Sequence, residues 1–182
     1  MTSSAAQNQK LRELWGPIGQ IGYMVHDLAA AAQQWTDTVG IGPWRVVEHA
    51  PFKSFEYNGS PSDVDVGIAL AFSGGVQVEL IQQHNDAPSM YRELLDTYGE
   101  GAQHVCFYPE DYDAAVAAAV DAGMTIGQQG DVWGVHFAYL RGDAGRVIEL
   151  AQLPEAMKLG RQQGIDEAAA WDGADPIRSF GR

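Results

Sequence analysis

The sequence predicts an α+β fold made of two tandem βαβββ modules, and three observations carry that prediction. First, "GQIGYMVHDLAAAA" (19–32) and "AQHVCFYPEDYDAAV" (102–116) align when Gln20 is set on His104; Ile21 then meets Val105, Tyr23 meets Phe107 and Asp27 meets Asp111. Second, "VQVELIQQ" (76–83) and "GRVIELAQ" (145–152) are near copies, each an apolar run with one glutamate near its middle. Third, three strand-like runs follow the alanine-rich stretch in each half. Self-similarity of this kind marks a duplicated structural unit.

Residues 1–16 precede the repeat as an N-terminal arm, and "SSAAQNQKLREL" within them predicts a short helix. The first module spans 17–86. Its opening strand ends before Asp27, whose side-chain oxygen suits it to accept a free first-turn N–H. The helix that follows carries Leu28, Ala31, Ala32, Trp35 and Val39 at core-facing spacing. Gly40 suits the left-handed position that ends a helix. Strands are then predicted in "PWRVVEH", "DVDVGIALAF" and "VQVELIQQ". The first copy is longer than the second, and the Gly/Pro/Ser-bearing "APFKSFEYNGSPSD" (50–63) accommodates the difference as a surface excursion or a substrate loop.

A connecting helix is predicted over 87–101, where Met90, Tyr91, Leu94, Leu95 and Tyr98 share one face. The second module, 102–153, repeats the plan. Asp111 caps a helix with Tyr112, Ala115, Val116, Ala119 and Val120 inward, Gly123 ends it, and strands follow in "MTIGQQ", "VHFAYL" and "RVIELAQ". Residues 154–182 read as a C-terminal helix and polar tail, an arm suited to contacting a partner.

Composition narrows the function. With 182 residues, 46% apolar and 19% charged, the chain can form one compact domain or two halves sharing a core. No apolar run reaches the roughly 18–20 residues that span a bilayer. "MTSSAAQNQKLRELWG" has no apolar segment of the kind a secretory signal needs. A cytoplasmic protein with no membrane partner is therefore expected. A net charge of −13 works against nucleic acid, which is held by basic side chains on phosphates. The single Cys106 rules out an intrachain disulfide and a multi-cysteine metal site.

The repeated glutamates need an explanation, because a lone carboxylate in a buried strand is costly unless something pairs with it. Side chains alternate along a strand. Val76, Val78 and Leu80 therefore share one face, with Gln77, Glu79 and Ile81 on the other; Ile148 and Leu150 oppose Val147, Glu149 and Ala151. Gln20 likewise shares a face with Gly22 and Met24, and His104 with Cys106 and Tyr108.

Four motifs in order, "GQIGYMVHDL", "VQVELIQQ", "GEGAQHVCFYPEDYDAAV" and "LRGDAGRVIELAQ", together with the internal repeat, resemble the vicinal oxygen chelate superfamily over roughly residues 17–152. That superfamily includes glyoxalase I, methylmalonyl-CoA epimerase, extradiol dioxygenases and the bleomycin-resistance proteins. The resemblance implies modules that curve into an open mixed sheet around a divalent metal, with ligands on the first and last strands of each half. By position these are Gln20, Glu79, His104 and Glu149. Such amide, imidazole and carboxylate donors suit Zn²⁺, Co²⁺, Ni²⁺, Mn²⁺ or Mg²⁺, and two carboxylates would offset the ion's charge.

The resemblance further implies a metal-dependent isomerase, epimerase or lyase acting through an enolate or enediolate, with Glu149 as the first candidate base and Glu79 the second. Trp44, Tyr108, Trp133, Phe137 and His136 are candidate walls of the substrate pocket. His49 and Glu48, on the predicted second strand, are further candidates, whereas His26 and His84 are expected at the surface. The chain is most similar to methylmalonyl-CoA epimerase and glyoxalase I, but Gln20 stands where the epimerase pattern has histidine, and the doublet is Gln103–His104 rather than two histidines. Alternatives are an extradiol dioxygenase, which would want two histidines and one carboxylate, and a non-catalytic binding protein of the bleomycin-resistance type. A homodimer acting on a small molecule is expected, the substrate being a CoA thioester, a glutathione adduct or a catabolic or biosynthetic carbonyl compound.

Overall fold

The computed structural model describes residues 4–142 and 147–180; the tip of the final hairpin expected in "LRGDAGRVIELAQ" (140–152) lies outside the described residues. Helix α1 (Ser4–Trp15) leads into strand β1 (Ile18–Met24) and helix α2 (Leu28–Val39). Strands β2 (Trp44–Val47), β3 (Phe52–Tyr57), β4 (Ser60–Pro61), β5 (Val66–Ser73) and β6 (Val76–Gln83) follow. Helix α3 (Met90–Tyr98) connects to β7 (Gly101–Phe107), α4 (Tyr112–Asp121), β8 (Thr125–Val132), β9 (Val135–Arg141) and β10 (Val147–Gln152). Helix α5 (Glu155–Ala170) and strand β11 (Ile177–Ser179) close the chain.

Asp27 and Asp111 cap α2 and α4 as their chemistry predicts, each accepting the N–H three residues on at 2.9 Å. Gly40 takes the left-handed conformation at φ 74°, and Gly123 does so at φ 95° just past α4. The helical faces are narrower than the spacing suggested. Leu28 and Ala32 of α2 are buried and so are Ala115 and Ala119 of α4, but Val39, Val120 and Tyr98 lie exposed near the last turns of their helices.

All the strands form one mixed sheet in the order β11-β2-β5-β6-β1-β7-β10-β9-β8-β3-β4. The two modules meet at β1 and β7, which run antiparallel; each is flanked on its other side by the last strand of its own module in parallel. The sheet is strongly curved. In a flat sheet β2 and β3 would stand about 38 Å apart, at ~4.8 Å per strand spacing. Only residues 48–51 join them, a reach of about 17 Å at most. The two ends of the sheet therefore bend toward each other into an open cup.

The stretch 50–63 is not a free loop. It forms the β3–β4 hairpin, and β3 pairs with β8 of the second module. Strand β11 extends the opposite edge by pairing with β2. Outside the cup, α2 covers Trp44, Ala69, Ala71, Val78 and Leu80, while α4 and α1 cover Leu140 and Leu150. Inside lie Met24, Ile81, Cys106, Phe137, Tyr139, Val147 and Ala151. The alternation read from the two glutamate strands thus holds: their apolar faces pack under the helices, and the opposite faces turn into the cup. Among the described residues no helix is long and apolar enough to cross a membrane.

Candidate metal centre

The strand registers bring the four polar positions together on the concave face. One row across the sheet runs Gln77–Gln20–Cys106–Glu149, and the next runs Glu79–Gly22–His104. Rows two residues apart present side chains to the same face. Gly22 and Cys106, the small residues of these rows, leave space for their neighbours. At Gly22 the need is steric, since an added Cβ would meet the His104 ring at 2.0 Å.

At the centre, His104 Nε2 lies 3.0 Å from Glu149 Oε2, 3.5 Å from Glu79 Oε2 and 3.3 Å from Gln20 Oε1. One ligand atom from each of Glu79, His104 and Glu149 falls within 4.8 Å of the others. All four residues are buried. Gln20 Nε2 donates to Gln77 Oε1 at 3.0 Å, which turns the Gln20 carbonyl oxygen toward His104.

His104 is aimed by a feature that the sequence does not announce. The β1–β7 register slips between Gly22/His104 and Tyr23/Ala102, leaving Gln103 as the extra residue of a β-bulge. The bulge places Gln103 beside its neighbour, and its side-chain carbonyl pairs with His104 Nδ1. A carbonyl oxygen only accepts, so Nδ1 carries a proton and Nε2 is the nitrogen that faces the centre. Tyr139 packs edge-on against the imidazole, with ring centroids 5.0 Å apart, and its hydroxyl meets that of Tyr91.

The electrostatics describe a site built for a cation. Burial, reinforced by the charge of Glu149 and opposed by His104, pushes the Glu79 carboxyl up to about 8. Burial pulls the His104 imidazole down, but the facing carboxylates outweigh it and hold its pKa above the ordinary value. Burial likewise raises the Cys106 thiol and the Tyr91, Tyr108 and Tyr139 phenols well above their usual range, so these groups stay protonated and neutral. Glu149 Oε2 accepts no hydrogen bond although it is buried; its contact with His104 lacks hydrogen-bond alignment. A carboxylate oxygen without a hydrogen bond, a second carboxylate, an imidazole nitrogen and an amide oxygen on one point fit a divalent ion.

The expected wall residues divide. Tyr108, Trp133 and Phe137 line a cavity of about 640 Å³ that ends at Gln20, Glu79 and Glu149. Trp44 does not. It is fully buried under α2, edge-on to Trp35, with its indole N–H on Thr36 Oγ1. His136 alternates to the convex face, is exposed, and borders a separate hollow with Tyr112 and Gln152. Glu48 and His49 lie in a bend after β2 rather than on it, where His49 pairs with Asp65 at 2.7 Å. His26 and His84 are exposed. Residues not anticipated are Gln103, Gln77, Tyr139 and, from the far end of the chain, Arg161, which lines the cavity from α5.

A family model described as the glyoxalase/bleomycin resistance protein/dioxygenase superfamily matches residues 19–139. Among solved structures, a variant of Streptomyces coelicolor methylmalonyl-CoA epimerase in complex with 2-nitronate-propionyl-CoA superposes with a TM-score of 0.54 at 23% identity, covering 78% of this chain and 96% of that one. Methylmalonyl-CoA epimerase from Mycobacterium tuberculosis gives 0.57 at 18% identity, over 80% and 93% of the two chains. A hypothetical protein from Bacillus halodurans C-125 gives 0.59 at 14% identity, over 76% and 95%. At these identities the likeness is one of fold. No curated protein matches the sequence.

Proposed function

The chain belongs to the glyoxalase/bleomycin resistance protein/dioxygenase superfamily, and on that footing we propose that it is a metal-dependent isomerase, epimerase or lyase acting on a small carbonyl compound with adjacent oxygens. The observation that carries the reading is the convergence of Glu79, His104 and Glu149 on one point, the two glutamates lining a cavity, with one carboxylate oxygen of Glu149 making no hydrogen bond. Gln20, Glu79, His104 and Glu149 would hold the ion, which supplies Lewis-acid stabilisation of negative charge on the substrate oxygens when bound. Zn²⁺, Co²⁺, Ni²⁺, Mn²⁺ and Mg²⁺ all suit the donor set.

Glu149 is the proposed base. It takes the proton from the carbon beside the carbonyl; the C–H electron pair becomes a C=C bond and the carbonyl π pair moves onto oxygen, giving an enolate or enediolate. Glu79 is the second candidate. Return of the proton to the opposite face gives an epimer, return to the neighbouring atom an isomer, and loss of a β-substituent a lyase product. Gln20 replaces the histidine that a two-histidine, one-carboxylate oxygenase site needs, which disfavours the dioxygenase reading. The apolar wall of the cavity favours one second reading, a binding protein without catalysis. A cytoplasmic homodimer completes the proposal, on the family resemblance.

Elemental analysis and solvent deuterium exchange test it together. The purified protein is expected to carry about one metal per chain and to exchange the α-proton of its substrate. Glu149→Gln is expected to lower exchange by roughly 10²–10⁴-fold while the protein stays folded. Full exchange in that variant sinks the base assignment, and metal-free protein that binds ligand without exchange favours the binding reading.

A further inference from the structure

The cavity that ends at the two glutamates has the volume of sites that engulf small organic ligands. Beyond the carboxylates most of its wall is apolar. Ile68, Leu70 and Phe72 rise from β5, Val135 and Phe137 from β9, and Met157 closes over them from α5. Where the two ends of the sheet approach, Trp133 stacks on Phe180, with centroids 5.5 Å apart and planes 11° from parallel.

Two arginines border this space. Arg161 Nη2 donates to the carbonyls of Gly19 at 2.6 Å and Gly75 at 2.7 Å. Its guanidinium also lies over the rings of Phe72 and Tyr108, 5.2 and 5.0 Å from their centroids, with Nη1 buried and without a hydrogen-bond partner. Arg45 faces both oxygens of Glu167 at 2.8 and 2.9 Å, and Glu167 also binds Arg178 at 2.5 Å.

We propose that the substrate is a bulky, ring-bearing and largely apolar carbonyl compound, held under α5 with its oxygen pair at the Glu79–Glu149 end. A CoA thioester or glutathione conjugate brings several negative charges. Enclosing that many against a largely apolar wall, where a single guanidinium, Arg161, offers an unpartnered N–H, is strongly unfavourable, and a chain of net charge −13 repels them at a distance as well. An apolar body instead gains from leaving water in proportion to the surface it hides. The orientation of the oxygen pair rests on the proposed metal-dependent reading; the preference for an apolar body stands without it.

The test uses the full chain, with its metal content measured first. Isothermal titration compares benzoin, an uncharged diaryl α-hydroxyketone, with propionyl-CoA and S-hexylglutathione. Benzoin is expected to bind about tenfold or more tightly than either. Met157→Trp fills the cavity from a helix that has no buried residue, and Val135→Phe fills it from the sheet. Each is expected to weaken benzoin about tenfold with metal content unchanged. Tighter binding of either charged probe, absence of benzoin binding, or unchanged affinity in both filled variants overturns the proposal. Metal-free protein that still binds benzoin retires the metal-dependent reading and supports this one.

Discussion

Gln103 shows how one residue outside the ligand set governs the site. Its carbonyl fixes the tautomer of His104 from the side away from the centre, the arrangement that sets ring orientation and basicity in histidine-ligated metal sites. Gln103→Leu is expected to lower metal affinity by about 10–100-fold with an unchanged circular dichroism spectrum, and Gln103→Glu, which keeps an acceptor, is expected to restore most of it. Metal titration of the three proteins decides; equal affinities would reduce Gln103 to packing. Strand alternation made much of this neighbourhood legible in the sequence, because period two alone turned Glu79 and Glu149 away from the helices. The bulge was not legible. Strict alternation puts Gln103 and His104 on opposite faces, and only the slipped β1–β7 register brings them side by side. Trp44 was misplaced for a related reason: an aromatic on a strand declares burial, but which of two buried faces it joins depends on the neighbouring strands.

At the level of elements, the duplicated module could be read almost strand by strand, since each helix carries its own cap and each strand its own alternation. The β3–β4 hairpin could not be placed. Its turn residues announce an excursion, yet its partner β8 lies in the other module, as the bond from Gln129 Nε2 to Glu56 Oε2 at 2.7 Å shows. A three-residue cluster ties the hairpin down. Tyr57 of β3 donates to Glu93 of α3 at 2.8 Å, and Arg141 of β9 meets both oxygens of Glu93 at 2.7 and 2.6 Å. The Arg141 guanidinium holds the Glu93 carboxyl below its usual range, against the opposing effect of burial. A depressed folded pKa gives stability that is present above the unfolded value, about 4.3, and is lost as pH falls through the folded value. Both partners are part-exposed, so the contribution is about 1 kcal/mol or less. Urea midpoints measured from pH 6 down to pH 2 are expected to fall less steeply in Glu93→Gln than in the parent. Identical slopes would mean that the pair does not act as a clamp.

For the molecule as a whole, the cup becomes a roofed, partly open cavity because α5 crosses it. Nothing within 154–170 signals that role, for the helix buries none of its residues and its main attachment reaches 142 positions back to Gly19. Contacts of such separation depend on the finished curvature of the sheet, which local pattern does not encode. Gly164 allows the approach, since an added Cβ would meet the Phe72 ring at 2.5 Å, and Arg161 fastens it at the strand that carries Gln20. Because α5 contributes to no core cluster, its opening should be governed by these few bonds rather than by global unfolding. Removing the charged donor in Arg161→Ala takes away two carbonyl contacts, worth about 2–3 kcal/mol together. Amide hydrogens of α5 are then expected to exchange roughly 30–100-fold faster, while those of β1, β6 and β7 keep their protection and the global denaturation midpoint stays near that of the parent. Exchange that accelerates equally in the central strands would show that α5 is part of the cooperative core, and exchange unchanged in α5 would show that Arg161 does not hold it. With the selective outcome, access to the Glu79–Glu149 end is set by a helix whose hold on the cup depends on Arg161, with the Glu167–Arg45 pair as a second fastening, and ligand association should speed up in the variant as the first is lost.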